Sequence, residues 1–217
     1  MTLTLPDGRD VRPGKILCIG RNYAAHAAEM GNPDAEPVAF LKPTTALVAD
    51  NGEIVLPRQS ESVHHELELV AVVGTAGRHI AEADALGHVA AYALGLDLTA
   101  RDIQSAAKAD RAPWSVAKGF DTFAPLGPLV EAADLGDPQG LEIALSVNGE
   151  ERQRGTTDHM IFSVARIVAY LSSVFTLEPG DLIYTGTPEG VGPIADGDRL
   201  VATGTGLPTL TVTARAE

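Results

Sequence analysis

Short apolar stretches separated by turn-forming residues run along most of this chain. Apolar runs bounded by Gly, Pro, Asn or Asp are typical of short, buried β-strands. On this basis strands are predicted at residues 3–5, 10–12, 15–19, 38–41, 54–56, 66–73, 89–98, 141–147, 182–184, 199–202 and 210–213. Asp7-Gly8 and Asn148-Gly149 are hairpin turn pairs, so they predict tight antiparallel connections.

Helical periodicity is strong in one segment only. Ile161, Val164, Ile167, Val168 and Leu171 recur at helical spacing, which predicts a helix over residues 157–175 with residue 157 or 158 as its N-cap. Shorter helices are predicted at 22–30, before a glycine stop, and at 81–88. Many strands with few helices predict an α+β, mainly β fold rather than a doubly wound parallel sheet.

Composition narrows the functional classes. The chain has 217 residues and a formal net charge of −13, from 16 Lys and Arg against 29 Asp and Glu. This charge argues against partners with phosphate backbones and against anionic membrane surfaces. The length fits one domain over residues 1–217, with 1–14 as an N-terminal hairpin extension. Neither a signal peptide nor a run of about 18 apolar residues is evident, so a soluble cytoplasmic protein is expected.

Common catalytic motifs are absent from the sequence. It contains no Gly-x-Ser-x-Gly elbow, Walker A loop, His-Glu-x-x-His pair or dinucleotide-binding fingerprint. The single cysteine, Cys18, lies in an apolar strand, where a buried structural residue is favoured over a nucleophile.

Acidic residues interrupt two of the apolar strands. Glu66 and Glu68 share one face of a predicted strand, and Asp97 interrupts another apolar stretch. Buried carboxylates that lie side by side require a bound cation or a shared proton. Oxygen ligands favour Mg²⁺ or Mn²⁺. The alternatives are an edge strand with both glutamates in water, and an Asp97 that caps the next helix.

A second group pairs an imidazole with a carboxylate. His26 and Glu29 are three residues apart on a predicted helix, so they are neighbours there. A carboxylate beside a histidine raises its basicity, as a water-activating base requires. A solvated surface pair is the alternative reading of the same spacing.

Basic and glycine-rich segments complete the set of candidates. Lys42, Arg101 and Lys118 lie in apolar surroundings, which indicates an anionic ligand or a buried partner unless they are ordinary surface cations. The segment 185–193 is rich in Gly and Thr and suits a backbone cradle for a carboxylate, or else is a plain loop.

Together these segments resemble the fumarylacetoacetate hydrolase family, and in size the small acylpyruvate hydrolase and oxaloacetate decarboxylase type. The resemblance runs in order from residue 15 to the end of the chain. Its motifs are Gly20-Arg21-Asn22-Tyr23 with His26, Phe40-Leu41-Lys42-Pro43, His65-Glu66-x-Glu68-Leu69, Leu96-Asp97-x-Thr99-x-Arg101-Asp102, Trp114-x-x-x-Lys118, Asn148-Gly149 and Thr185-Gly186-Thr187-Pro188-x-Gly190-Val191-Gly192.

The resemblance implies a mixed β-sandwich roll, a homodimer and a small 2-oxo acid substrate. It also assigns roles to residues of this sequence. The metal ligands for Mg²⁺ or Mn²⁺ would be Glu66, Glu68 and Asp97; the catalytic residues His26, Glu29 and Lys118; and the substrate contacts Arg21, Gln104 and Thr187.

The implied reaction is hydrolysis of the C3–C4 bond of an acylpyruvate, which gives pyruvate and a carboxylic acid. Oxaloacetate decarboxylation, and isomerisation or decarboxylation of 2-hydroxy-hexadienedioates, are alternatives on the same scaffold. The presence of both His26 and Glu29 favours hydrolysis. An alternative from a different class of protein is a non-catalytic module that binds keto acids.

Overall fold

The computed structural model describes residues 1–23 and 37–217, and most of its regular structure is β-strand. The strands are β1 (Leu3–Thr4), β2 (Asp10–Val11), β3 (Ile16–Gly20), β4 (Val38–Lys42), β5 (Leu47–Ala49), β6 (Glu53–Leu56), β7 (Val63–His65), β8 (Leu67–Val73), β9 (Val89–Leu96), β10 (Thr99–Ala100), β11 (Ala124–Leu126), β12 (Val130–Glu131), β13 (Glu142–Val147), β14 (Glu150–Thr156), β15 (Leu182–Tyr184), β16 (Gly192–Pro193), β17 (Arg199–Gly204) and β18 (Leu207–Ala216).

The largest sheet is mixed and runs in the order β4-β3-β15-β8-β9-β11-β5, with β12 also paired to β9. β15 lies parallel to β3 and antiparallel to β8, while β8 and β9 pair antiparallel along almost their whole lengths. A five-stranded sheet, β14-β13-β17-β18-β6, packs against it. A short sheet, β10-β7-β16, and the β1-β2 hairpin complete the strand pairings.

Alternating side chains of β8 enter two separate cores. Leu67 and Leu69 join one buried cluster with Ile143 and Leu210 of the five-stranded sheet. Val70 lies on the opposite face, in a second cluster that the N-terminal hairpin helps to cover. Both faces of β8 are therefore buried, which explains its nearly continuous apolar sequence. The predicted mainly β fold is confirmed.

The described helices are few and short. They are α1 (Arg101–Ala109), α2 (Ser115–Lys118), α3 (Ala132–Leu135) and α4 (Val164–Val174), with 3₁₀ turns at Thr44–Ala46, Glu82–His88 and Thr157–His159. The sequence analysis missed α1 and β14. The helix predicted at 22–30 lies mostly outside the described residues.

The predicted N-cap of the longest helix is wrong. Ser163 caps α4, and its side-chain oxygen accepts a hydrogen bond from the Arg166 N–H. The Thr157 hydroxyl is already engaged, because it donates to the Pro138 carbonyl and accepts from the Leu141 N–H. The chain therefore turns once at Thr157–His159 and begins the helix at Val164.

Among residues 1–23 and 37–217, every helix is too short or too polar to cross a lipid bilayer.

Candidate metal and substrate site

The antiparallel pairing of β8 and β9 brings three carboxylates together. Leu67 pairs with Leu96, so the residue before β8 and the residue after β9 are neighbours. The Asp97 N–H continues the ladder by donating to the Glu66 carbonyl at 2.8 Å. Glu68 pairs with Gly95, one step further along the same two strands. Glu66, Glu68 and Asp97 therefore lie at one end of the strand pair.

These carboxylates have the geometry of a cation site. Each offers one oxygen, and the three oxygens lie within 4.8 Å of one another. All three residues are buried: 6% of Glu66 is exposed and 1% of Glu68 and of Asp97. The edge-strand alternative, with both glutamates in water, is therefore wrong. Asp97 does not cap the following helix either, since no side chain caps α1.

One oxygen of the triad has an unused coordination position. Asp97 Oδ1 is buried and accepts no hydrogen bond within the described part of the chain. Lys42 Nζ lies 2.7 Å away, but it donates to the carbonyls of Leu98, Lys118 and Phe123. An ammonium has three N–H groups, so none is left for Asp97 Oδ1. A carboxylate oxygen with this environment fits a hard divalent cation.

Cations surround the triad. Lys118 Nζ donates to Glu66 Oε2 at 2.8 Å and to Asp97 Oδ2 at 2.5 Å. The Arg101 guanidinium contacts Glu66 Oε1 at 2.5 Å. The prediction that Lys42, Arg101 and Lys118 have an anion or a buried partner is thus borne out. Arg101 and Lys118 donate to the acidic residues, and Lys42 donates to three buried carbonyls while lying beside Asp97.

The two glutamates differ in their protonation. Burial would raise the pKa of Glu66, but the charges of Lys118 and Arg101 outweigh it and hold that pKa well below its usual range. Burial also raises the pKa of Glu68, and the neighbouring charges of Asp97 and Glu66 add to it, so that the pKa lies well above the ordinary value. Without a metal, Glu68 is therefore the carboxylate of the triad that takes up a proton.

The glycine-rich loop after β15 closes one side of the site. The Gly186 N–H donates to Glu68 Oε2 at 2.7 Å, and Gly186 has φ +101°. A Cβ at this position would lie 2.6 Å from the Asn22 Cβ, so the loop requires glycine here. In the segment predicted to cradle a carboxylate, the Gly186 N–H thus binds the carboxylate of Glu68.

Sequence reasoning missed Gln153, which lies on β14 of the five-stranded sheet. Its buried Oε1 accepts from the Leu67 N–H at 3.0 Å and lies 2.9 Å from His65 Nδ1. Its Nε2 donates to Thr187 Oγ1 at 2.8 Å and to the Pro188 carbonyl. Gln153 therefore connects the strand that carries the glutamates to the glycine-rich loop. The sequence shows that Gln153 follows the Asn148-Gly149 hairpin turn, but it does not show the partners of Gln153, which are far away along the chain.

A cavity open to solvent lies over Glu66 and Glu68 of the triad. Its walls include the predicted contacts Arg21, Gln104 and Thr187, together with Lys118, Lys108 and Trp114. Arg21 adopts φ +63°, and its buried Nε has no partner among the described residues. His26 and Glu29 lie outside the described residues. Cys18 is fully buried, as predicted, and burial raises the pKa of its thiol.

The family model for the C-terminal domain of fumarylacetoacetate (FAA) hydrolase matches residues 15–215. The chain belongs to the fumarylacetoacetate hydrolase family. An oxaloacetate tautomerase of Arabidopsis thaliana, named as mitochondrial, is 50% identical over 194 residues, covering 89% of this chain and 87% of the relative. An oxaloacetate decarboxylase of Dictyostelium discoideum, also named as mitochondrial, is 47% identical over 197 residues, covering 90% of each protein.

A member of this family has been solved with a metal. The crystal structure of a fumarylpyruvate hydrolase from Pseudomonas aeruginosa, in complex with Mn²⁺ and pyruvate, superposes on this chain with a TM-score of 0.94 at 44% identity. The match covers 100% of this chain and 96% of the relative. The buried triad in the present chain can hold such a divalent metal, which agrees with the prediction of Mg²⁺ or Mn²⁺.

Proposed function

We propose that this protein hydrolyses the C3–C4 bond of acylpyruvates in a divalent-metal-dependent reaction, giving pyruvate and a carboxylic acid. The observation that carries the proposal is the buried triad Glu66, Glu68 and Asp97, two of whose members, Glu66 and Glu68, line a cavity with cationic walls. These three residues would hold the metal. When bound, the metal supplies Lewis-acid stabilisation of negative charge on the oxygens of the substrate.

Lys118 is suited to stabilise an oxyanion. Two of its three N–H groups donate to Glu66 and Asp97, and the residue lines the cavity. The remaining N–H is available to the oxygen that becomes negative when water attacks the distal 4-oxo carbon. The two carboxylates also raise the pKa of Lys118, against the effect of burial, so the ammonium stays charged.

The water-activating pair is proposed from the sequence alone. His26 takes the proton from water, and Glu29 fixes its tautomer and raises its basicity. The attack forms a tetrahedral centre at C4, and its collapse breaks the C3–C4 bond. The acyl fragment leaves as a carboxylic acid, and protonation of the remaining carbon fragment at C3 gives pyruvate.

Two of the proposed substrate contacts have their hydrogen-bonding groups oriented by neighbours. Arg101 donates to Gln104 Oε1, so the side-chain NH₂ of Gln104 remains available to a substrate oxygen. Thr187 Oγ1 accepts from Gln153, so the Thr187 hydroxyl proton can be donated elsewhere. Arg21 supplies the third contact, and it lines the same cavity.

Oxaloacetate chemistry is the second candidate. The names of the Arabidopsis and Dictyostelium relatives favour it, because they describe oxaloacetate tautomerase and decarboxylase activities. Loss of CO₂ needs no attacking water, so decarboxylation does not require the His26 and Glu29 pair, whereas tautomerisation still needs a base to move the proton. A single substitution at His26 therefore separates hydrolysis from decarboxylation.

The test compares acetylpyruvate, fumarylpyruvate, oxaloacetate and a 2-hydroxy-hexadienedioate by kcat/KM, with Mn²⁺ or Mg²⁺, after chelation, and after metal is restored. Pyruvate should form from an acylpyruvate only with metal present. His26→Ala should abolish hydrolysis and spare much of any oxaloacetate decarboxylation, while the exposed His159→Ala serves as the control. Full activity after chelation, or a preference for oxaloacetate by orders of magnitude, would overturn the proposal.

The homodimer, the cytoplasmic location and the assignment of residues 1–217 to a single catalytic domain stay predictions. Two exposed apolar side chains on neighbouring elements, Leu41 on β4 and Val116 on α2, support a subunit interface. Light scattering on the purified chain tests the dimer directly.

A further inference from the structure

Helix α1 presents a polar stripe to the cavity. Arg101, Gln104 and Lys108 are spaced three and four residues apart, so they lie on one face of the helix, and all three line the cavity. Arg101 and Gln104 are hydrogen-bonded to each other, and Arg101 also contacts Glu66. Lys108 extends the same stripe by one helical turn away from them.

The ammonium of Lys108 has no anionic partner within the described residues. Its Nζ lies 5.2 Å from the centre of the Trp114 ring, a cation–π contact that orients it without neutralising its charge. The other lysines that face this region, Lys42 and Lys118, both contact Asp97. Within the described part of the chain, Lys108 therefore differs from Lys42 and Lys118 in making no ion pair.

Other cations surround this ammonium. The charged groups that act on it are Arg101 on its own helix, Arg21 after β3, Lys118 at the end of α2 and Glu66 before β8. Burial, together with the charges of Arg101 and Arg21, lowers the pKa of Lys108 to about 8. A half-buried ammonium close to two guanidinium groups produces a positive potential that favours an anion.

We infer that Lys108 binds a second carboxylate of the substrate, at the end remote from the 2-oxo acid group, so that the protein prefers dicarboxylic 2-oxo acids to those with an apolar end. The inference rests on the proposed function, in which the metal site binds the 2-oxo acid end of the substrate. The cations next to that site, Arg101 and Lys118, contact Glu66 and Asp97. Lys108 lies one helical turn further along α1, at a distance from that site that suits the remote end of the substrate.

Binding of stable ligands tests this inference without catalysis. On the Mn²⁺-loaded protein, calorimetry compares 2-oxoglutarate with 2-oxopentanoate, in which a methyl group replaces the distal carboxylate. The wild-type protein should bind the dicarboxylate more tightly. In Lys108→Met that preference should fall about tenfold or more, the loss expected for one charge-assisted hydrogen bond.

Two matched variants control for charge and for folding. Arg78→Met removes one positive charge from an exposed residue that does not line the cavity, and it should keep the preference. Lys108→Arg should restore it. In the wild type the preference should weaken as the pH rises through about 8, whereas in Lys108→Arg it should not, because the guanidinium stays charged.

Kinetics separate this inference from the proposed function. The same variants are assayed with fumarylpyruvate and its crotonyl analogue, which carries methyl in place of the distal carboxylate. A fall in the ratio of the two kcat/KM values in Lys108→Met supports the inference. The inference is overturned if Lys108→Met weakens both members of a ligand pair equally. It is also overturned if Arg78→Met loses as much of the preference as Lys108→Met does. If neither acylpyruvate is hydrolysed, the proposed function fails while the binding ratio still decides the role of Lys108.

Discussion

The backbone N–H of Gly186 donates a 2.7 Å hydrogen bond to Oε2 of Glu68, the triad carboxylate with the strongly raised pKa. This bond favours the charged form of Glu68, against burial and against the neighbouring Asp97. It therefore keeps one glutamate oriented in the site whether or not a cation is present. The loop conformation that makes the bond depends on a positive φ at Gly186.

Gly186→Ala should lower both the stability and the metal affinity. An alanine Cβ would meet the Asn22 Cβ at 2.6 Å, so the backbone at residue 186 or Asn22 must shift, and the N–H bond to Glu68 is disturbed. Gly197→Ala is the matched control, since Gly197 has φ +84° and open space around its Cβ position. Denaturant unfolding should show a loss larger by about 1–3 kcal/mol for Gly186→Ala than for the control. Equal losses, with unchanged Mn²⁺ affinity, would contradict the role of this loop.

Glu68→Gln should make the metal-free protein more stable at neutral pH and abolish tight Mn²⁺ binding. The pKa of Glu68 is raised in the folded state, so its contribution to stability is full below the unfolded value of about 4.3 and is lost as the pH rises through the folded pKa. The neutral amide cannot ionise, so it removes that loss at pH 7. Unfolding curves between pH 4 and 9 measure it.

The same titration predicts proton release when the metal binds. A cation that coordinates Glu68 must displace its proton, so the Mn²⁺ affinity of the wild type should rise with pH until Glu68 is ionised. Calorimetry in buffers of different ionisation enthalpy counts the protons released. A pH-independent affinity would show that Glu68 is already charged in the metal-free protein.

Lys118→Met should slow turnover about 10²–10³-fold, because it removes the N–H group proposed for the oxyanion. It should also destabilise the metal-free protein by about 3–5 kcal/mol, since Glu66 and Asp97 lose a buried partner. Added Mn²⁺ should recover much of this stability but not the rate. Lys15→Met is the control, because it breaks contacts to Glu178 and Asp181 outside the site. Mn²⁺ should raise the stability of this variant only as much as it raises that of the wild type.

Gln153→Leu should raise KM more than it lowers kcat. The change keeps most of the side-chain volume but leaves the Leu67 N–H and the Thr187 hydroxyl without their partner, so the substrate-facing loop loses its support. A stability loss of about 2–4 kcal/mol is expected from these buried unpaired groups. Gln139→Leu is the control, because Gln139 bridges Thr157 and Val164 elsewhere. A similar KM change in the control would make Gln153 merely structural.

The sequence predicted the acidic residues because their environment is local. Glu66, Glu68 and Asp97 each interrupt an apolar strand, and antiparallel pairing of those strands is enough to bring them together. The partners of Gln153 depend on how two sheets pack, and no periodicity of the chain encodes that packing. The N-cap of α4 could not be assigned either, because the competing bonds of Thr157 come from residues 138 and 141.

When all three carboxylates of the triad are ionised, their formal charges cancel those of the cations that touch them, Lys42, Arg101 and Lys118. A bound divalent cation therefore adds a positive surplus beside Arg21 and Lys108 in the cavity wall, and an anionic substrate offsets it. Metal and substrate should accordingly bind with positive cooperativity, each tightening the other by the same factor. The metal ion and the anionic substrate should therefore occupy the site together.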